Sequence, residues 1–179
     1  AHKFYPNLVV LHVDAHTDTY RSDGNQDYMR YNVATTFTRA AEEGLIDTNA
    51  SLHIGPRGPT MDNSVFEHTR EVGFRLIDGD DLFETGLIKT ADNLVEQLKD
   101  RTVYLCFDMD FFDPSCAPGV CTPTWGGATA REGLGFLRKL KGLNIVGADI
   151  NTVSPPHDVG GMTAFLAGAV ALEILTLFC

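Results

Sequence analysis

The sequence predicts an α/β protein built on a mainly parallel sheet, and three observations carry that expectation. Short β-rich apolar runs alternate with stretches of helical periodicity, the pattern of repeated β-α units. Acidic and imidazole side chains stand immediately after two of those runs, where the carboxyl ends of parallel strands open onto a ligand crevice. The composition is that of an ordinary globular chain: of 179 residues, 44% are hydrophobic and 21% charged, which excludes disorder, collagen and coiled coil.

Taken in order, L-V-V-L-H-V at 8–13 is the first strand. Residues 34–45 have helical spacing, with Phe37, Ala40, Ala41 and Leu45 on one face. S-L-H-I-G at 51–55 and G-F-R-L-I-D at 73–78 are the next strands. Over 87–99, Leu87, Ala91, Leu94, Val95 and Leu98 form the apolar stripe of a helix. T-V-Y-L-C-F at 102–107 is a strand, 129–140 an amphipathic helix, and N-I-V-G-A-D at 144–149 a further strand. The last helix, over about 162–178, contains a sixteen-residue apolar run broken by Glu173; it is short for a membrane span and is expected to be a buried core helix. The Pro- and Gly-rich stretch of about 111–127 is long for a connection, a length that more often serves function than idles. No repeat or interdomain linker interrupts residues 1–179, which are expected to form one domain.

Fourteen basic against 24 acidic residues give a net charge of −10. Nucleic acid and anionic membranes need a basic face, so neither is an expected partner; a small cationic substrate or a divalent metal is. Cys106, Cys116, Cys121 and Cys179 lack C-x-x-C spacing, and no signal or transit peptide is visible, so a reduced, cytoplasmic setting is expected.

Asp14, His16 and Asp18 follow the first strand at alternate positions, and in an extended chain alternate side chains share a face. Asp108 and Asp110 repeat the pattern after the strand that ends at Phe107. A single Asp after a strand is ordinarily a cap or a turn residue. Two such clusters at strand ends point instead to a metal site, because unpaired carboxylates repel one another and raise one another's pKa. Hard oxygen donors with one imidazole suit Mn2+ best, with Ni2+, Co2+, Fe2+ or Zn2+ possible, and five ligands suit two bridged ions better than one.

H-V-D-A-H-T-D at 12–18, F-D-M-D-F-F-D-P at 107–114, A-P-G-V-C-T-P-T-W-G-G at 117–127 and V-S-P-P-H-D at 153–158 together resemble the ureohydrolases, the arginase and agmatinase family, with agmatinase-like members most similar. The resemblance implies a three-layer α/β/α arginase-like fold, amino-terminally truncated in this chain. It implies two Mn2+ ions, with Asp14 and Asp108 bridging them, Asp18 completing the first ion's protein ligands and His16 and Asp110 ligating the second. Asp18 would also hydrogen-bond the bridging hydroxide, which attacks the guanidinium carbon and releases urea and an amine. Homo-oligomers, trimers or hexamers, are implied likewise.

Three positions depart from the family pattern. The upstream G-G-D-H-S-type motif that supplies the first metal's His is absent, and His2 is expected on the surface. Val33 stands where a proton-transferring His is usual, and Thr152 where a Glu faces the guanidinium. Two further possibilities therefore accompany the hydrolase expectation: a non-catalytic paralogue or partner subunit, and a guanidino hydrolase with a substrate other than agmatine. His157 is either a loop residue or a contact to substrate or subunit, and Trp125 either walls the pocket or anchors a subunit. His12 and His53 are expected to be hydrogen-bonded core or edge histidines, and Cys116 and Cys121 to be unreactive, having no basic partner. If the missing segment supplies strands beside residues 8–13, the truncated sheet is expected to expose an edge and an apolar face there, and so to aggregate or assemble with another chain.

Overall fold

The protein is described here from a computed structural model covering residues 1–21 and 30–179. Five parallel strands form one sheet: β1 (Val9–Val13), β2 (Leu52–Ile54), β3 (Arg75–Ile77), β4 (Thr102–Asp108) and β5 (Asn144–Asn151), in the order β3-β2-β1-β4-β5. From β1 the chain steps outward through β2 to β3, then crosses back to β4 and continues to β5. The order thus reverses between β1 and β4, the switch point at which open parallel sheets bind their ligands. No open edge falls at 8–13: among the described residues β1 is central, paired on both sides within the chain, and β3 and β5 are the outer strands. Alternation along a strand states which residues share a face but not which strand lies beside it.

The described helices are α1 (Thr36–Glu42), α2 (Val65–Glu71), α3 (Gly79–Thr85), α4 (Leu87–Leu98), α5 (Ala130–Lys139) and α6 (Met162–Leu177). The period-2 alternation of β1 divides the interior. Val9, Leu11 and Val13 enter the larger core with Leu105, Phe107, Leu94 of α4, Phe136 of α5 and Ile174 of α6. Val10 faces the other way, toward Phe37 of α1, Phe74 and Cys106. His12 and His53 share that second face, their ring centroids 4.5 and 5.3 Å from that of Phe37. The amphipathic stripe of α4 buries Leu87, Ala91, Leu94 and Leu98. A capping box starts α5, in which Thr129 and Glu132 satisfy each other's backbone N–H groups. Leu45 lies beyond α1 and is 37% exposed, so it is no part of that helix's buried face.

The structure also corrects the expectation for the last helix. Only Thr163, Val170, Ile174 and Leu177 of α6 are buried, while Phe165 and Leu172 are 79% and 67% exposed. A helix packed by one stripe, here on β5 and α5, hides only that stripe, however apolar the rest. Among the described residues no helix is long and apolar enough to cross a membrane.

Candidate metal centre

The two acidic clusters meet at the β1/β4 switch point, though not by simple extension of the strands. β1 ends at Val13, and Asp18 takes a left-handed backbone conformation (φ 51°) unusual for a residue with a side chain. β4 ends at Asp108, and a single 3-10 turn, Met109–Phe111, carries Asp110. Gly55, at φ 98°, lets this turn come close: a Cβ there would stand 2.8 Å from the Phe111 ring. The convergence inferred from alternate spacing is therefore real, but two tight bends complete it.

Asp14, His16 and Asp110 bring ligand atoms within 4.8 Å of one another, as do His12, Asp14 and Asp18, and His12, Cys106 and Asp108. Asp14 Oδ1 accepts from the backbone N–H of His16 at 2.6 Å and lies 3.1 Å from His16 Nδ1. Asp110 Oδ2 is 3.3 Å from that same Nδ1 and accepts from the Thr122 hydroxyl at 3.2 Å. The Ala15 N–H donates to Asp110 Oδ1 at 3.2 Å, tying the two clusters together. Thr152, also left-handed at φ 65°, donates its hydroxyl to Asp108 Oδ1 at 2.7 Å and accepts from the Met109 N–H at 3.2 Å.

Burial pushes the Asp18 carboxyl up to about 7; the His12 imidazole opposes the rise, and the charges of Asp14 and Asp108 add to it. Burial likewise raises Asp14, against the pull of His12. Burial alone would lower His16, but hydrogen bonding to Asp110 and Asp14 outweighs it and carries the imidazole to about 10. Asp110 resists the upward push of burial and is lowered, His16 being its main support. Buried carboxylates in this number call for more positive charge than two imidazoles supply. Divalent cations fit the donor set: hard oxygens with imidazole are ligands for Mn2+ and its neighbours.

These groups form the floor of a cavity of about 870 Å³, whose wall includes Tyr20, Val33, Phe37, Pro59, Met61, Cys121 and Thr124. All five expected ligands and Thr152 line it, and so does Val33, 83% exposed. His157 does not; it is exposed, with Nδ1 2.7 Å from Ser154 Oγ. Trp125 is 74% exposed and also outside the lining. His2 is on the surface side as expected, bonded to the Leu45 carbonyl.

Sequence reasoning missed three contributors. His12 and Cys106 stand two residues before Asp14 and Asp108, so the same alternation that exposed the carboxylates could have found them. His12 is a buried core histidine as expected, yet its Nε2 lies 2.9 Å from Asp14 Oδ2 and 3.6 Å from Asp108 Oδ2. Arg57 gave no signal at all. Its guanidinium donates to the carbonyls of Thr124 (2.8 Å), Asp110 (2.9 Å), Gly55 and Trp125 (both 3.3 Å), and so holds the 111–127 loop against the metal-facing turn.

A parallel sheet with carboxylates and imidazole gathered at its switch point defines a class of α/β protein with a polar ligand crevice at its strand ends, here with a donor set suited to a metal ion. The model of the arginase family matches residues 1–177, and the chain belongs to that family. It is 38% identical to an agmatinase of Photorhabdus laumondii over 98% of its own length and 53% of the relative's. It is 39% identical to a guanidinopropionase of Pseudomonas aeruginosa, covering 95% of this chain and 53% of that one. Among solved structures, proclavaminate amidino hydrolase from Streptomyces clavuligerus superimposes with a TM-score of 0.89 at 37% identity, over 99% of this chain and 57% of that one. The chain thus spans about half the length of the curated relatives it matches.

Proposed function

We propose that the protein bearing these residues hydrolyses a C–N bond of a guanidino compound, releasing urea and an amine, with two divalent cations, Mn2+ by preference, held by Asp14, His16, Asp18, Asp108 and Asp110. The observation that carries this reading is the meeting of Asp14, His16 and Asp110 within 4.8 Å on the cavity floor. The relatives' names, agmatinase, guanidinopropionase and amidino hydrolase, share the guanidino or amidino group and support the reaction class.

Bound divalent ions supply Lewis acidity, which brings the pKa of water from about 15.7 toward roughly 7 and makes a nucleophile available at neutral pH. The rest falls to the chain. Asp14, just past the end of β1, and Asp108, the last residue of the adjacent β4, are the carboxylates that would be shared between two ions. Asp18, on the cavity floor with His12 and Asp14, would accept a hydrogen bond from the attacking water. The acidic floor attracts a planar guanidinium cation, and the apolar wall of Val33, Phe37, Pro59 and Met61 takes its carbon tail and excludes water.

The substrate we favour is a guanidino compound other than agmatine. Thr152 carries no negative charge, and its hydroxyl oxygen already accepts from the Met109 N–H, so it offers a guanidinium N–H only one neutral lone pair in place of a carboxylate. The test is urea release by the Mn2+-loaded intact protein across guanidino amines and guanidino acids of graded tail length. Turnover of one guanidino compound faster than agmatine is expected. The proposal fails if Mn2+ binds and no member of the panel yields urea.

A further inference from the structure

The cavity floor contains a second set of donors beside the hard-oxygen cluster. The pairing register lines up His53, His12, Cys106 and Asp149 across four neighbouring strands, in one row beneath Asp14 and Asp108. His12 and Cys106 of that row and Asp108 above it each bring a ligand atom within 4.8 Å of the others, His12 Nε2 standing 3.6 Å from Asp108 Oδ2. His12 is fully buried, and its Nε2 has no hydrogen-bond partner: Asp14 Oδ2 is near at 2.9 Å but out of line for a hydrogen bond. The ring is aimed by its other nitrogen, since His12 Nδ1 and His53 Nδ1 are 2.8 Å apart and share one proton. A partner on the second ring nitrogen is the usual arrangement behind a ligating histidine. Cys106 is buried, yet its side chain reaches the cavity lining, so an ion entering the cavity can meet its sulfur.

We propose that His12, Cys106 and Asp108 form a soft-donor metal site that takes a thiophilic divalent ion such as Zn2+, in competition with the Mn2+-preferring pair. Thiolate and imidazole select zinc and cobalt over manganese, and zinc binds more tightly than manganese at almost any such donor set. Three protein donors are also the number found where zinc keeps one position open. Binding releases the thiol proton of Cys106 to water, so no oxidant or co-reactant is required. Asp108 is common to both sites, and an ion held by His12 and Cys106 would compete for its carboxylate. Zn2+ here would withdraw a shared carboxylate from the hard pair, which makes the site a device for zinc antagonism.

The inference rests on the metal-binding reading above, and the experiment separates the two. CoCl2 titrated into the intact protein, freed of metal beforehand, should raise a near-ultraviolet sulfur-to-cobalt charge-transfer band. Cys106→Ser should abolish that band, whereas Cys121→Ser, the other cysteine on the cavity wall, should retain it. By electron paramagnetic resonance, Zn2+ should release bound Mn2+ from the unaltered protein, and Cys106→Ser should raise the zinc needed by roughly tenfold or more. A cobalt complex without the band, or a band that survives Cys106→Ser, overturns the proposal while Mn2+ binding keeps the hydrolase reading standing. If neither Mn2+ nor Co2+ binds, both fall.

Discussion

Replacing Arg57 by Met keeps much of the side chain's bulk but deletes every donor it has. The guanidinium makes two short bonds, to the carbonyls of Thr124 and Asp110 at 2.8 and 2.9 Å, and longer ones at 3.3 Å to those of Gly55 and Trp125. A hydrogen bond from a charged donor is worth about 1.5–3 kcal/mol, so the two short ones set a ceiling of about 3–6 kcal/mol. Arg57 is only part-buried, and water can replace some of what is lost, which brings the expected destabilisation to about 2–4 kcal/mol. For a domain of this size that is a fall in Tm of about 5–15 °C. Arg57→Lys keeps the charge, but a compact ammonium cannot reach carbonyls on both sides of the loop as a planar fork does, so it should recover less than half of the loss. Urea unfolding followed by circular dichroism gives both numbers from the midpoint at constant slope. If Arg57→Met and Arg57→Lys both unfold at the midpoint of the unaltered protein, the guanidinium does not hold the loop and the reasoning is wrong.

Asp113 accepts from the N–H groups of Ser115 (2.9 Å), Gly126 (2.9 Å) and Gly127 (3.2 Å), and hydrogen bonding, from the Ser115 side chain foremost and then from these N–H groups, holds its carboxyl below the ordinary value of 3.8. A depressed folded pKa stabilises fully above 3.8 and less as pH falls through it, so Asp113→Asn should flatten the acid limb of a stability-against-pH curve; an unchanged limb would contradict this. Thr152→Val removes the hydroxyl that steadies Asp108 and should weaken Mn2+ binding about 10–100-fold by calorimetry, with Thr152→Ser restoring most of it. Gly119→Ala would bring a Cβ to 2.5 Å from that of Asp158, whose carboxylate accepts from Thr163 and Ala164 at the start of α6, so a loss of about 1–3 kcal/mol is expected in thermal unfolding.

The strands, the amphipathic helices α4 and α5, and the metal-facing carboxylates were all legible in the sequence, because each rests on a local period. The position of β1 was not, since lateral order depends on crossovers that leave no mark in a strand's own pattern. The exposure of α6 was hidden for a related reason: apolar residues all around a helix state what could be buried, not what is. Asp18 and Asp110 do reach the cavity, but the expectation assumed extended backbone, whereas a left-handed residue and a 3-10 turn bring them in. Arg57 lay beyond reach because its partners are main-chain carbonyls, that of Gly55 two residues away and the others 53 to 68, and a carbonyl has no sequence signature. His12 and Cys106 were missed differently. Their pattern was visible, and the ordinary expectation for buried histidine and cysteine was applied to them instead.

The row of His53, His12, Cys106 and Asp149 has a consequence for how the chain finds its fold. Side chains alternate between the two faces of a strand, so a slip of β4 by one residue against β1 would exchange its faces. Cys106 and Asp108 would then turn into the layer occupied by Phe136 and Ile174, and Leu105 and Phe107 would be left among carboxylates. Each buried, unpaired charge in such a misaligned sheet costs several kcal/mol, more than the neighbouring apolar contacts could return. The acidic floor therefore acts as a proofreading device during assembly of the sheet: the carboxylates gathered there are the same groups that make a one-residue slip of β4 against β1 so costly.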